Sequence, residues 1–94
     1  MFRVERAAAI KLREMLRQEY SFPPVLGIVE AVVPGRGNCL TVAIYDESGL
    51  RASNMPLTRF FADKFEFVVV ANELLVDRLV DMRLDWNGGK FIFH

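Results

Sequence analysis

The side chains best suited to chemistry are the single cysteine, Cys39, and the single histidine, His94. A thiolate and an imidazole are both common metal ligands, so these two residues are a candidate metal site. A simpler interpretation makes Cys39 a small residue packed inside a strand, because free cysteine is among the most buried residue types. His94 stands at the last position, which is typical of a frayed surface group. The sequence leaves both interpretations open.

A second candidate site is the glycine-rich loop at residues 34–38, PGRGN. Exposed backbone amides and a guanidinium both attract negative charge, so this loop could bind a small anion. The residues concerned are Gly35, Arg36, Gly37 and Asn38. A solvated turn is the alternative, since the loop lacks the lysine and the hydroxyl of a phosphate-binding P-loop.

No set of residues predicts catalysis. A serine–histidine–aspartate triad would need His94 as its base, at the last position of the chain. The acids Asp46, Glu47, Asp81 and Asp85 are scattered, and we expect them on solvated loops and edges. We therefore predict a protein that is not an enzyme.

The composition is that of one globular domain covering residues 1–94. Hydrophobic residues make up 52% of the chain, which is enough for a single core. Twelve Lys and Arg balance twelve Asp and Glu, so the chain lacks the basic field that draws proteins to nucleic acid. It has one cysteine, no signal-peptide pattern and no apolar run of membrane-spanning length. We expect a cytoplasmic protein that binds neither nucleic acid nor membrane.

Hydrophobic periodicity predicts a helix followed by strands in the first two thirds of the chain. Apolar residues recur at three- and four-residue spacing over residues 5–19, the pattern of an amphipathic helix, with no good capping residue before it. β-Branched and aromatic residues predict strands at 25–33, 39–45 and 57–62, the last before a turn at Asp63 and Lys64. Gly27 predicts a bulge or a close backbone approach. The polar residues 46–56 are expected to form the longest surface connection.

Residues 65–94 predict a strand, a short helix and a closing hairpin. The apolar strand 65–70 is expected to be central in its sheet. Asn72 is expected to cap the helix that follows, whose apolar stripe is Leu75, Val76, Leu79 and Val80. The sequence Asn87-Gly88-Gly89 favours a tight hairpin between the last two strands.

The aromatic residues of that hairpin, Trp86, Phe91 and Phe93, are expected in the core. In the alternative, the exposed edge of the last strand pairs with a partner's edge and produces a homodimer. Long strands and helices do not alternate along the chain, so we predict an α+β fold with a mixed or antiparallel sheet.

Four motifs, taken in order, resemble the HesB-like or A-type iron–sulfur cluster assembly family over nearly the whole chain. RAAAIKLREML is similar to the family's opening helix, and LGIVEAVVPGRGNCLTVAIYDE to its glycine-rich loop with the flanking strands. ADKFEFVVVANELLVDRL is similar to its strand and short helix, and LDWNGGKFIF to its closing Leu-Asp-Tyr pattern. The resemblance implies a HesB-like fold with an N-terminal helix and a short helix before the C-terminal hairpin.

The chain departs from the family at the ligand positions. The family binds iron or a cluster through one cysteine in the glycine-rich loop and two in a Cys-Gly-Cys tail, because thiolates are the soft ligands that clusters need. Here Arg36 occupies the loop position, Cys39 follows three residues later, and the sequence ends at His94 without a Cys-Gly-Cys pattern. The resemblance therefore implies a degenerate member, for which we expect no cofactor.

Two main functions follow from these observations. The first is a non-catalytic binding or scaffold protein, related to iron–sulfur cluster assembly, that acts through protein partners. The alternative is an iron or iron–sulfur carrier, in which an oligomer assembles Cys39, with or without His94, into a shared site. Binding of a small anion at the PGRGN loop is a weaker alternative.

Overall fold

Seven strands and three helices follow one another in the computed structural model, which describes residues 1–94. In order they are β1 (Arg3–Val4), α1 (Arg6–Leu16), β2 (Pro24–Val33), β3 (Gly37–Asp46), α2 (Glu47–Ala52), β4 (Leu57–Ala62), β5 (Phe65–Val70), α3 (Glu73–Leu79), β6 (Arg83–Asn87) and β7 (Lys90–Phe93). Both sheets contain parallel and antiparallel pairs, so the predicted α+β class with a mixed sheet is confirmed. No helix is long and apolar enough to cross a membrane.

The larger sheet has four strands in the order β3-β2-β5-β4. Its two inner strands run parallel and pair at Leu26 with Phe67 and at Gly27 with Val68, while each outer strand is antiparallel to its neighbour. The inner position of β5 confirms the prediction from its unbroken apolar run. The smaller sheet has the order β1-β6-β7, so β7 pairs only with β6.

One apolar cluster joins the larger sheet to α1, α3 and the smaller sheet. Leu12 of α1, Leu75 of α3 and Leu84 of β6 are all at most 1% exposed. Phe67 of β5 is fully buried among them, and its ring centroid lies 5.7 Å from those of Phe2 and Phe60. Full burial of each such side chain stabilises the fold by about 1.5 to 3 kcal/mol.

Two predictions of local structure are confirmed. Helix α1 lies within the predicted residues 5–19, and Glu5 before it makes no side-chain capping hydrogen bond, as the absence of a good capping residue implies. Strand β4 has the predicted bounds, and the turn after it places Asp63 and Lys64 at positive φ. These short-range features follow from periodicity and turn chemistry alone.

The polar segment 46–56, expected to form the longest surface connection, contains helix α2. Asp46 caps this helix, because its side chain accepts a hydrogen bond from the Ser48 N–H at 2.9 Å. Glu47 and Arg51 pair at 3.1 Å one turn apart. The serine and glycine of this segment favour a loop, but the cap and the ion pair support a short helix, so this surface connection is partly helical.

Helix α3 differs from its prediction at both ends. Asn72 occupies the N-cap position but its side chain makes no capping hydrogen bond, since its backbone (φ −146°, ψ 73°) departs from the usual cap conformation. Leu75 and Leu79 are buried as predicted, whereas Val80 lies just beyond the helix and is 48% exposed. The expected cap at Asn72 and the expected burial of Val80 are therefore wrong.

The outer face of the larger sheet has its own packing around Gly27. Alternation places Gly27 on the face opposite to Leu26, and the position is regularly paired with Ala43 rather than bulged. A Cβ at Gly27 would overlap the ring of Tyr45. The close approach is thus made by a side chain and not by backbone, which corrects the prediction for this glycine.

The hairpin of β2 and β3 extends beyond the rest of the larger sheet. Its strands pair from Pro24 opposite Asp46 to Val33 opposite Gly37, whereas β2 pairs with β5 only near Leu26. The tip half of the hairpin therefore has no strand of the larger sheet beside β2, and Val32 there is 77% exposed. This projecting half lies beside β7.

Candidate functional site

A groove of about 660 Å³ separates the projecting half of β3 from β7. This β3–β7 groove is lined by residues 38–41 and 89–93 together with Val33, Arg36, Arg78, Met82 and Trp86. These residues come from the end of β2, the β2–β3 turn, β3, α3, the segment after α3 and the β6–β7 hairpin. The groove therefore exists only because the fold brings two separate stretches of the chain, 33–41 and 78–93, together.

The groove runs along two strand edges. Consecutive residues of β3 and of β7 line it, although alternate side chains of a strand point to opposite faces. Lining by consecutive residues therefore places the groove at the edge of each strand and not over one face. Both strands are outermost in their sheets, so neither has a strand partner on its outer side.

The register of the β6–β7 hairpin shows which backbone groups face outward. Arg83 and His94 exchange two N–H···O=C bonds, at 3.1 and 2.9 Å. In an antiparallel pair such positions alternate with positions whose N–H and C=O groups point away from the neighbouring strand. The main-chain groups of Phe91 and Phe93 therefore point away from β6, along the free edge of β7.

The charged side chains of the groove are all cationic: Arg36, Arg78 and Lys90. Arg78 donates a hydrogen bond to Glu30 at 2.6 Å, which offsets part of its charge. Arg36 and Lys90 are exposed and form no ion pair. Although the whole chain has no net charge, the groove therefore carries a positive local potential.

Aromatic side chains form the apolar part of the groove. The rings of Trp86 and Phe91 meet edge to face, with centroids 4.7 Å apart. The Lys11 ammonium lies 5.0 Å from the Trp86 ring centroid, a cation–π contact from helix α1. Trp86, Phe91 and Phe93 are half-buried and pack against the core, so the expected core position is only partly met.

Cys39 lies in β3 opposite Ala31 and lines the groove. It is half-buried and not enclosed, because β3 is an edge strand and the hairpin tip projects beyond its neighbours. The simpler interpretation, a small buried strand residue, is met only in part, because Cys39 lies in a strand but is half-buried.

His94 is exposed and is not among the residues that line the groove. Its backbone extends the β6–β7 ladder opposite Arg83. No group of three or more His, Cys, Asp or Glu side chains converges anywhere in the structure. The fold thus does not bring His94 into the groove beside Cys39.

The PGRGN loop is the turn of the β2–β3 hairpin. Gly35 and Gly37 both have positive φ, 81° and 73°, which turns of this kind require of glycine. The Arg36 N–H donates to the Val33 carbonyl at 2.9 Å, so this amide is not available to an anion. Arg36 and Asn38 line the groove, whereas Gly35 and Gly37 do not. The motif therefore reaches the groove through Arg36 and Asn38.

Reasoning from sequence does not single out several residues of the site, among them Arg78, Met82 and Lys90. Arg78 and Lys90 look like ordinary solvated charges on a helix and at a strand start, since nothing in their local spacing links them to Arg36. One sequence feature does point to the site: the hairpin around Trp86 mixes charged and aromatic residues, a pattern that is compatible with an exposed strand edge.

Comparison with protein-family models, with curated proteins and with solved structures finds no match to this chain. The resemblance to the HesB-like family stays a prediction. The function proposed for the groove is therefore argued from its geometry and charge.

Proposed function

We propose that this chain is a non-catalytic binding domain whose β3–β7 groove holds an anionic ligand with an apolar part. The observation that carries the proposal is the lining of the groove, which has three cationic side chains and no carboxylate. Arg36 and Lys90 form no ion pair, so they are free to pair with a ligand. Trp86, Phe91 and Leu40 offer the apolar surface that fixes the orientation of a bound molecule.

The side chains of the groove support binding without catalysis. Cys39 is the one thiol there, and no imidazole or carboxylate lines the groove to act as its base. The relation to iron–sulfur cluster assembly, the protein partners and the cytoplasmic location remain predictions from sequence. In that setting the domain would act as a scaffold that recognises an acidic partner or ligand.

Anion binding is tested by titration with phenyl phosphate and benzoate, with benzylamine as the cationic counterpart. Trp86 is the single tryptophan, so its fluorescence reports on the groove alone, and calorimetry gives the heat of binding. We expect the two anions to bind and the amine not to bind. The variants Arg36→Gln and Lys90→Gln should each weaken binding, whereas Arg17→Gln, an exposed cation outside the groove, should not. Heats that do not depend on Arg36 or Lys90 would refute the proposal.

Metal carriage is the second candidate, because Cys39 is reachable from the groove and a second copy could supply further ligands. Anaerobic reconstitution with iron and sulfide, followed by absorbance and oligomeric mass, tests it against Cys39→Ser. Cluster absorbance that Cys39→Ser abolishes would support carriage. An identical spectrum for both proteins would reject it.

A further inference from the structure

We propose that the ligand of the β3–β7 groove is an extended, carboxylate-rich segment of another protein, which adds as a strand to the free edge of β7. This inference rests on the proposed function, since it specifies the anionic ligand of the same groove. Its recognition would combine two features, unpaired main-chain groups along an edge and cationic side chains beside them.

The edge of β7 can provide the main-chain contacts. Phe91 and Phe93 direct their N–H and C=O groups away from β6, and no strand is hydrogen-bonded to that edge, which faces β3 across the groove. Residues 89–93 all line the groove, and at ~3.3 Å per residue they extend over about 13 Å. A segment of about four extended residues matches this length. Pairing would satisfy donors and acceptors that are otherwise left to water.

The side chains beside this edge select for acidic residues. Lys90 lies at the start of β7, Arg36 projects from the turn of the opposite hairpin, and Arg78 lies on α3. Carboxylates on a paired segment could meet these cations, while its apolar side chains meet the aromatic surface of Trp86. A neutral segment would gain the backbone bonds without the charge pairing.

A second copy of this chain is a poorer occupant of the groove. A symmetric, antiparallel pairing of two β7 edges would bring two cationic grooves together, and the lining of neither contains a carboxylate that could offset the charge. Lysine on an edge strand is also a common feature that opposes self-pairing. Charge therefore favours an acidic partner over self-association through this edge.

The experiment uses a dye-labelled, capped peptide that alternates valine and glutamate, followed by fluorescence anisotropy with the whole chain. A second peptide carries N-methyl groups on all of its amides, which removes the donors of both edges without changing the charge. A third replaces glutamate with lysine. The protein variants are Arg36→Glu with Lys90→Glu, and Arg17→Glu as the control for charge reversal outside the groove; circular dichroism checks that each is folded.

We expect the acidic peptide to bind and to shift the amide NMR signals of Phe91 and Phe93 more than those of Lys90 and Ile92, which face β6. N-methylation and the double charge reversal should each weaken binding roughly tenfold or more at low salt. Arg17→Glu should change it less than twofold. Equal binding of the N-methylated peptide would overturn strand addition, and equal binding of the lysine peptide would overturn the preference for acids.

The same protein samples separate this inference from the function on which it rests. If phenyl phosphate binds in a manner that depends on Arg36 and Lys90 but no acidic peptide binds, the strand partner is wrong and the anion-binding groove stands. If neither probe binds, both proposals fail.

Discussion

Strands β5 and β7 have similar sequences and opposite environments. Both alternate phenylalanine with another residue, as Phe65 and Phe67 in β5 and as Phe91 and Phe93 in β7. In β5 these rings are 7% and 0% exposed, whereas in β7 they are half-buried. The difference arises because β5 has a strand on each side and β7 has β6 alone. The number of neighbouring strands, and not the residue pattern, separates a structural strand from a candidate binding edge.

The largest expected effect is on the β5 side of this comparison. Phe67→Ala removes a fully buried ring that contacts Phe2 and Phe60, and should lower the free energy of unfolding by about 3 to 5 kcal/mol. Urea denaturation measures the loss. Because this is a large part of the stability usual for such a domain, Phe67→Leu provides a milder variant. A loss no larger than that of Phe91→Ala would break the contrast between the two strands.

The next effect tests how densely the outer face beside β5 is packed. Gly27→Ala places a methyl group where the Tyr45 ring now lies, so the ring must move, and we expect a loss of about 1 to 3 kcal/mol. In the Tyr45→Ala background, where the space is vacant, Gly27→Ala should lower the free energy of unfolding only slightly. Additive effects of the two substitutions in denaturation experiments would show that the ring does not restrict this position.

In β7, Phe91→Ala should lower the free energy of unfolding less than Phe67→Ala does, and it should weaken ligand binding. The ring is half-buried, so we expect a loss of about 1 to 2 kcal/mol in the free energy of unfolding. Its edge-to-face contact with Trp86 disappears, which should shift the Trp86 emission spectrum. Binding of phenyl phosphate should weaken in parallel. Unchanged emission and unchanged binding would show that Phe91 is only a structural residue.

The contrast between β5 and β7 also explains which parts of the fold can be predicted from the sequence. The apolar run of β5 and the turn chemistry of Asn87-Gly88-Gly89 are local signals, and both elements form as expected. The number of strands beside β7 depends on chain topology, which no local pattern contains. For that reason the sequence predicts Phe91 and Phe93 in the core, whereas they are half-buried between the core and the groove.

The candidate site, like the environment of β7, depends on chain topology that local sequence patterns do not contain. The sequence of PGRGN predicts anion binding by Arg36 together with the loop amides, whereas in the structure the Arg36 N–H is bonded to the Val33 carbonyl and the residue lines the groove. Arg78 and Lys90 come from segments more than forty residues further along the chain. Only the packing of the β2–β3 hairpin beside β7 brings these charges together. Net composition, which is neutral, conceals the local field.

The smallest expected change in stability comes from the Glu30–Arg78 ion pair, which tests the charge of the groove beside β7. Glu30 pairs with Arg78 at 2.6 Å, and the arginine side chain is 55% exposed, so Glu30→Gln should change the free energy of unfolding by less than about 1 kcal/mol. The substitution leaves the Arg78 charge without its partner and should raise the positive potential of the groove.

Quenching of Trp86 fluorescence measures this change in potential. Quenching by iodide should increase relative to quenching by caesium, and the difference should become smaller as salt is added. Glu19→Gln, an exposed carboxylate outside the groove, is the matched control. If both variants give the same quenching ratio, Glu30 does not moderate the field at Trp86, and the cationic character of the groove would have to come from Arg36 and Lys90 alone.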